Sequence, residues 1–132
     1  MPNRKIVYIV DDDPSILDSV QGLLRSYGYR TAIFPSAQVF EDHTNFDKAL
    51  CIVLDINLND GVSGIDMMHQ LKSAGISVPF IYMTGNDDPI IRMAALESGC
   101  LAYLTKPFSA ESLIEPLAKA SLGYGRHQRR DP

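Results

Sequence analysis

The side chains best suited to polar chemistry fall in four short stretches: Asp11-Asp12-Asp13, Asp55 with Asn57 two residues on, Thr84-Gly85-Asn86, and Lys106-Pro107. Three carboxylates brought together repel one another, and a hard divalent cation relieves the repulsion. Magnesium takes oxygen ligands, keeps several waters, and is usually held by one or two carboxylates plus phosphate oxygens. Such a cation also neutralises charge on a transferring phosphoryl group. An aspartate beside it can attack phosphorus and form an acyl phosphate. A hydroxyl such as Thr84 and an ammonium such as Lys106 could then grip the phosphoryl oxygens, the lysine as a point charge with three donors.

Each residue also has a plainer reading. An aspartate after a strand is often a helix cap or a turn residue. Asp13, just before Pro14, fits a cap of the first helix. Thr84 before glycine could be a turn hydroxyl, and Lys106 before proline could be solvated. What the plain readings leave unexplained is the joint placement of these residues after four different strands.

Five short apolar runs carry that placement: Ile6–Val10, Thr31–Phe34, Cys51–Leu54, Phe80–Met83 and Leu101–Leu104. Runs of this length, rich in β-branched or aromatic residues and bounded by turn formers, read as strands. Helical patterns lie between them. Ile16, Leu17, Val20, Leu23, Leu24 and Tyr27 share one face of a first helix, which Gly28 ends. Ser36 caps a second, through about His43. Ile65, Met68 and Leu71 mark a third that closes near Gly75. Asp88-Pro89 opens a fourth that runs to about Ser98. Ser109 caps a fifth, and Pro116 inside it should kink or delay that helix. Strands alternating with helices imply a parallel sheet covered on both faces. Ligands of such sheets bind at the carboxyl ends of the strands, which is where the polar stretches fall. Strand two alone ends in apolar Phe34-Pro35.

The 132 residues suit one domain, and 45% hydrophobic content is enough for a core without disulfides. Residues 1–122 are expected to form that domain, and 123–132 a polar, basic tail or the start of a linker. No apolar run approaches the roughly 20 residues that span a bilayer, and the N-terminus lacks signal-peptide features. The expected location is cytoplasmic. A net charge of −4 argues against non-specific nucleic-acid binding. Cys51 and Cys100 form no metal-binding pattern and read as structural thiols.

Val10-Asp11-Asp12-Asp13, Asp55, Thr84-Gly85 and Lys106-Pro107-Phe108 together resemble the receiver domain of bacterial two-component response regulators, over residues 5 to about 121. Tyr8-Ile9-Val10-Asp11-Asp12-Asp13, Met83-Thr84-Gly85 and Lys106-Pro107-Phe108 look closest to receivers of the FixJ type. The resemblance implies an α/β, three-layer (βα)5 flavodoxin-like domain with a five-stranded parallel sheet of order 2-1-3-4-5. It implies that Asp55 is the phosphoacceptor, taking its phosphoryl group from a sensor histidine kinase. Asp12 should ligate magnesium directly and Asp11 at the edge of its shell, with Asp55 and the Asn57 main-chain carbonyl completing the protein ligands. Thr84 and Tyr103 would be switch residues, Lys106 would contact phosphate, and the Lys106-Pro107 peptide would be cis. Such a domain is no enzyme beyond its own phosphorylation and dephosphorylation. It would dimerise or bind a partner through helix four, strand five and helix five. DNA would enter only through an effector domain not present here; FixJ-type receivers usually precede a helix-turn-helix. In that strand order Cys51 and Cys100 begin strands three and five. Two strand spacings, roughly 10 Å, exceed the roughly 7 Å a disulfide tolerates.

The stretch after Asp55 departs from the family pattern. Receivers usually carry a proline four residues after the phosphoacceptor and a glycine eight after it. Here Asn59 stands four on and Gly64 nine on, so the loop Asn57–Gly64 is one residue longer, with an extra Asp60-Gly61 turn. Two other functions compete. A phosphohydrolase of the haloacid dehalogenase type also uses an aspartate after a strand, but its second aspartate two residues on is here Asn57. A degenerate receiver, never phosphorylated, would lack part of the site set, which is complete here. A nucleotide site is weaker still, because the turn after strand one is acidic rather than glycine-rich.

Overall fold

The computed structural model describes residues 5–43, 45–58, 61 and 63–130, the side chains of residues 43 and 123–130 excepted. The chain alternates β1 (Ile6–Val10), α1 (Pro14–Ser26), β2 (Arg30–Phe34), α2 (Ala37–His43), β3 (Ala49–Asp55), α3 (Gly64–Ser73), β4 (Phe80–Thr84), α4 (Pro89–Glu97), β5 (Ala102–Thr105) and α5 (Ala110–Arg130), with a 3-10 turn at Phe46–Lys48 before β3. The strands are parallel throughout, in the order β2-β1-β3-β4-β5. This is the expected topology.

Period-two alternation sorts the strand residues into two cores. Tyr8, Val10, Ile52 and Leu54 join Phe40, Met67, Met68, Leu71 and Ala95 on the face covered by α2, α3 and α4. Val7, Ile9, Cys51 and Val53 join Leu17, Val20, Leu24, Leu113 and Leu117 under α1 and α5. Each such leucine or isoleucine contributes about 1.5–3 kcal/mol on burial, so both helix layers are held by apolar contact. The inner strands β1, β3 and β4 are buried on both sides, which explains their unbroken apolar runs. The edge strands β2 and β5 are mostly part-buried.

The expected caps form. Asp13 accepts from the Ser15 N–H at 2.9 Å, Ser36 from Val39 at 3.1 Å, Asp88 from Ile90 at 2.8 Å, and Ser109 from Ser112 at 3.2 Å. Gly28, Gly75 and Gly99 follow their helices at positive φ, between 88° and 89°, where a side chain would be strained.

Several details correct the sequence reading. Tyr27, placed on the buried face of α1, is the C-cap residue and 53% exposed, because the helix ends before it completes that turn. Cys51 is the third residue of β3 rather than its first, and Cys100 lies two residues before β5. Both thiols are free. β5 starts at Ala102, leaving Leu101 exposed in the preceding loop. α5 passes Pro116 without interruption and continues to Arg130. The segment expected to be a tail is therefore helical through residue 130. Residues 131–132 lie outside the described residues, as does Asp60 of the expected Asp60-Gly61 turn. Gly61 itself has φ 78° and donates to the Leu58 carbonyl at 3.1 Å.

Candidate functional site

Four strands end on one rim and deliver the polar stretches to it. Asp11 and Asp12 follow β1, Asp55 ends β3, Thr84 ends β4, and Lys106 follows β5. The main chain fixes their relative heights. Asp11 N–H donates to the Phe34 carbonyl at 3.1 Å, Ile56 N–H to Met83 at 3.0 Å, and Lys106 N–H to Thr84 at 2.8 Å. The Lys106-Pro107 peptide is cis, as expected.

Asp11 is wholly buried and Asp55 nearly so. Each carboxylate uses one oxygen to close its own turn. Asp11 Oδ1 accepts from Asp13 N–H at 2.9 Å, and Asp55 Oδ1 from Asn57 N–H at 2.8 Å. The other two oxygens share one partner. Lys106 Nζ lies 2.9 Å from Asp11 Oδ2 and 2.7 Å from Asp55 Oδ2. Lys106 thus spans the rim as an internal counter-ion. Two buried carboxylates without it would face a desolvation penalty of several kcal/mol each. Burial by itself pushes the Lys106 pKa down, but the hydrogen bonds and charges of Asp55 and Asp11 outweigh it, so the pKa lies above the ordinary lysine value.

Asp12 is half-buried at the mouth of the rim. Oxygens from Asp11, Asp12 and Asp55 come within 4.8 Å of one another. An all-oxygen set of this size suits magnesium or another hard divalent cation. Each oxygen already engaged keeps a second lone pair. The residues present therefore fit the metal inferred from the sequence.

The expected switch residues Thr84 and Tyr103 point elsewhere. Thr84 is fully buried, and its hydroxyl donates to the Asn86 carbonyl and accepts from the Asn86 N–H, both at 3.1 Å. It is a turn hydroxyl in this state. Tyr103 is half-buried and directed outward, its hydroxyl donating to Asp87 Oδ1 at 3.1 Å. Its pKa is raised, first by burial and then by that carboxylate. Asn57 is exposed and pairs with Ser63 across the longer loop.

Two neighbours of Tyr103 were missed by sequence reasoning. Asp87 and Arg92 flank Tyr103, and nothing in the sequence marks an acidic loop residue beside a helix cap. Gly64 was read as the displaced family glycine, but its role is steric. Its N–H donates to the Ile56 carbonyl at 2.7 Å. A Cβ there would sit 2.5 Å from the Asp55 carbonyl oxygen. Helix α3 therefore abuts the end of β3 with no room for a side chain.

Residues 7–118 match the family described as response regulator receiver domain. The chain is 34% identical over 124 residues to the response regulator protein TodT of Pseudomonas putida, covering 94% of this chain and 54% of TodT. It is 30% identical over 120 residues to the transcriptional regulatory protein FixJ of Bradyrhizobium diazoefficiens, covering 91% of this chain and 58% of FixJ. It also superposes on the response regulator StyR with a TM-score of 0.84 and 30% identity, covering 95% of this chain and 63% of StyR. The chain thus spans little more than half the length of the curated relatives it matches. No helix among the described residues is long and apolar enough to cross a membrane.

Proposed function

The chain belongs to the response regulator receiver domain family of two-component signalling, and on that premise we propose that Asp55 accepts a phosphoryl group from a phosphohistidine of a sensor histidine kinase. The observation that carries this reading is the convergence on Asp55: Asp11 and Asp12 oxygens within 4.8 Å and the Lys106 ammonium at 2.7 Å. In the transfer an Asp55 oxygen forms the new P–O bond as the P–N bond breaks, its electron pair returning to the imidazole. Magnesium held by Asp11, Asp12, Asp55 and the Asn57 main-chain carbonyl would neutralise charge on the transferring group. Lys106, already on Asp55, would stay on a phosphoryl oxygen as a point charge.

The acyl phosphate adds charge and acceptor oxygens at the rim. Thr84 would then exchange its bond to the Asn86 carbonyl for one to the phosphoryl group, a swap of about 1 kcal/mol terms. Tyr103 would turn inward behind it, and the surface of α4, β5 and α5 would shift between two arrangements. That surface carries exposed Ile90, Met93, Leu96 and Leu101, an apolar stripe suited to a second copy or a partner. A groove of about 240 Å³ lies beside the rim, lined by Ile16, Ser19, Val20, Leu23, Lys106, Pro107 and Phe108. The signalling unit is residues 1–122, with 123–132 a connecting segment. The domain works in the cytoplasm, is no enzyme beyond its own phosphorylation and dephosphorylation, and reaches DNA only through an attached effector.

Acetyl phosphate with magnesium tests this directly. Intact mass should rise by one phosphoryl group, and Asp55→Asn should abolish the gain. Equal labelling of the variant would remove Asp55 from the role.

A further inference from the structure

Helix α4 is fastened unequally at its two ends. Near its C-terminus Ala95 is fully buried, and so, almost completely, is the capping residue Ser98. Ser98 is held three ways. Its hydroxyl donates to the Ala95 carbonyl at 2.7 Å, the Tyr82 hydroxyl lies 3.0 Å from its Oγ, and its carbonyl accepts from Lys72 Nζ at 2.8 Å. With the serine proton on Ala95, tyrosine is the donor. Tyr82 sits inside β4 and Lys72 in the last turn of α3. This end is therefore tied to the sheet and to the neighbouring helix.

The N-terminal end has little of this. Ile90 is 79% and Met93 62% exposed, and Ile91 alone packs partly against the core. What holds it is a clasp of three side chains. Asp87 accepts from the Tyr103 hydroxyl through Oδ1 at 3.1 Å and pairs with Arg92 through Oδ2 at 3.1 Å. The Arg92 guanidinium lies 5.2 Å from the centre of the Tyr103 ring. The clasp joins the loop after β4, the first turn of α4, and β5. Asp87 and Arg92 are about half exposed, so each contact shifts an equilibrium only about two- to fivefold. A clasp this weak holds a resting position and can be released.

We infer that α4 is a lever hinged at Ser98 and latched at Asp87, and that Asp87 and Arg92 are positioning residues that hold Tyr103 outward. They set what fraction of unphosphorylated molecules has Tyr103 free. The use made of this lever rests on the proposed phosphorylation switch, but the latch itself operates without phosphate and is tested without it.

The test is amide hydrogen exchange by NMR on the full chain, with no phosphoryl donor present. Asp87→Ala should speed exchange at Arg92 and Met93 about three- to tenfold and leave Ser98 and Gly99 unchanged. Arg92→Gln should give a smaller rise, because Asp87 still holds Tyr103. Tyr82→Phe should do the reverse, speeding Ser98 and Gly99 more than Arg92. With 3-fluorotyrosine incorporated, the Tyr103 line, identified by its loss in Tyr103→Phe, should shift in Asp87→Ala. Equal acceleration at both ends in Asp87→Ala or in Tyr82→Phe, or unchanged exchange at Arg92 and Met93 in Asp87→Ala, overturns the lever. Absent labelling of Asp55 together with unequal exchange would sink the signalling reading and leave the lever standing.

Discussion

Replacing Gly64 with alanine probes how closely α3 abuts the phosphoacceptor. The added methyl would lie 2.5 Å from the Asp55 carbonyl oxygen and 3.2 Å from both Ile56 Cα and Leu54 Cδ1. A comfortable carbon–oxygen approach begins near ~3.3 Å, so the methyl is short by about 0.8 Å, and the nearest atom is backbone. Overpacking of this kind costs about 1–3 kcal/mol. Against it stands the helical preference for alanine over glycine, at most about 0.5–1 kcal/mol. The steric term wins, for a net loss of about 1–2 kcal/mol. At roughly 4 °C per kcal/mol for a domain of this size, Tm should fall by about 4–8 °C. Gly22 supplies the control. It sits within α1, and a methyl added there would meet nothing within 4 Å, so Gly22→Ala should raise Tm by about 2–4 °C through propensity alone. Thermal unfolding of both variants, beside acetyl phosphate labelling of Gly64→Ala, decides the matter. Labelling should slow, because relief of the clash moves the Asp55 backbone. If both variants gain stability, the close approach and the reasoning built on it are wrong.

Lys106→Met leaves two buried carboxylates without their counter-ion and should lose about 2–4 kcal/mol without magnesium. Magnesium should restore more stability to this variant than to the unmodified chain, where the ammonium competes for the same oxygens; equal gains in thermal melts would count against that competition. Tyr82 is predicted to govern part of the alkaline response, since burial, the largest influence, pushes its pKa up to about 12. The folded state then holds a proton that the unfolded state releases near pH 10. Stability is complete below about pH 10 and is lost as pH rises towards 12, by roughly 2–3 kcal/mol from this group. Urea unfolding should show a shallower alkaline decline in Tyr82→Phe than in the unmodified chain, and parallel declines would contradict the assignment.

The architecture was legible because its signals are local. Apolar runs at the period of buried strands located all five strands to within a few residues, and Asp13, Ser36, Asp88 and Ser109 announced their helices by residue type. Asp11, Asp12 and Asp55 were legible as a group because topology alone brings parallel strand ends to one rim. What escaped depends on rotamers and distant partners. Lys106 bridging Asp11 and Asp55 joins residues 95 and 51 positions apart. Thr84 turning to Asn86 matches the plainer reading of a turn hydroxyl before glycine, whereas Tyr103 turning to Asp87 is a choice between acceptors that no sequence pattern records. The helical run of α5 beyond residue 122 was hidden because its polar composition reads equally as coil.

The sparse packing of the first turns of α4 has a consequence for how relatives of this domain can diverge. Residues that support no core can be exchanged without endangering the fold. Ile90 and Met93 are such positions, while the constraints on this helix gather around Ala95 and Ser98. A lineage could therefore rewrite the exposed end, and with it the identity of what binds there, in single steps that each leave folding intact. New wiring between sensors and outputs would then be limited by the acquisition of complementary surfaces, not by the stability of the domain that carries them.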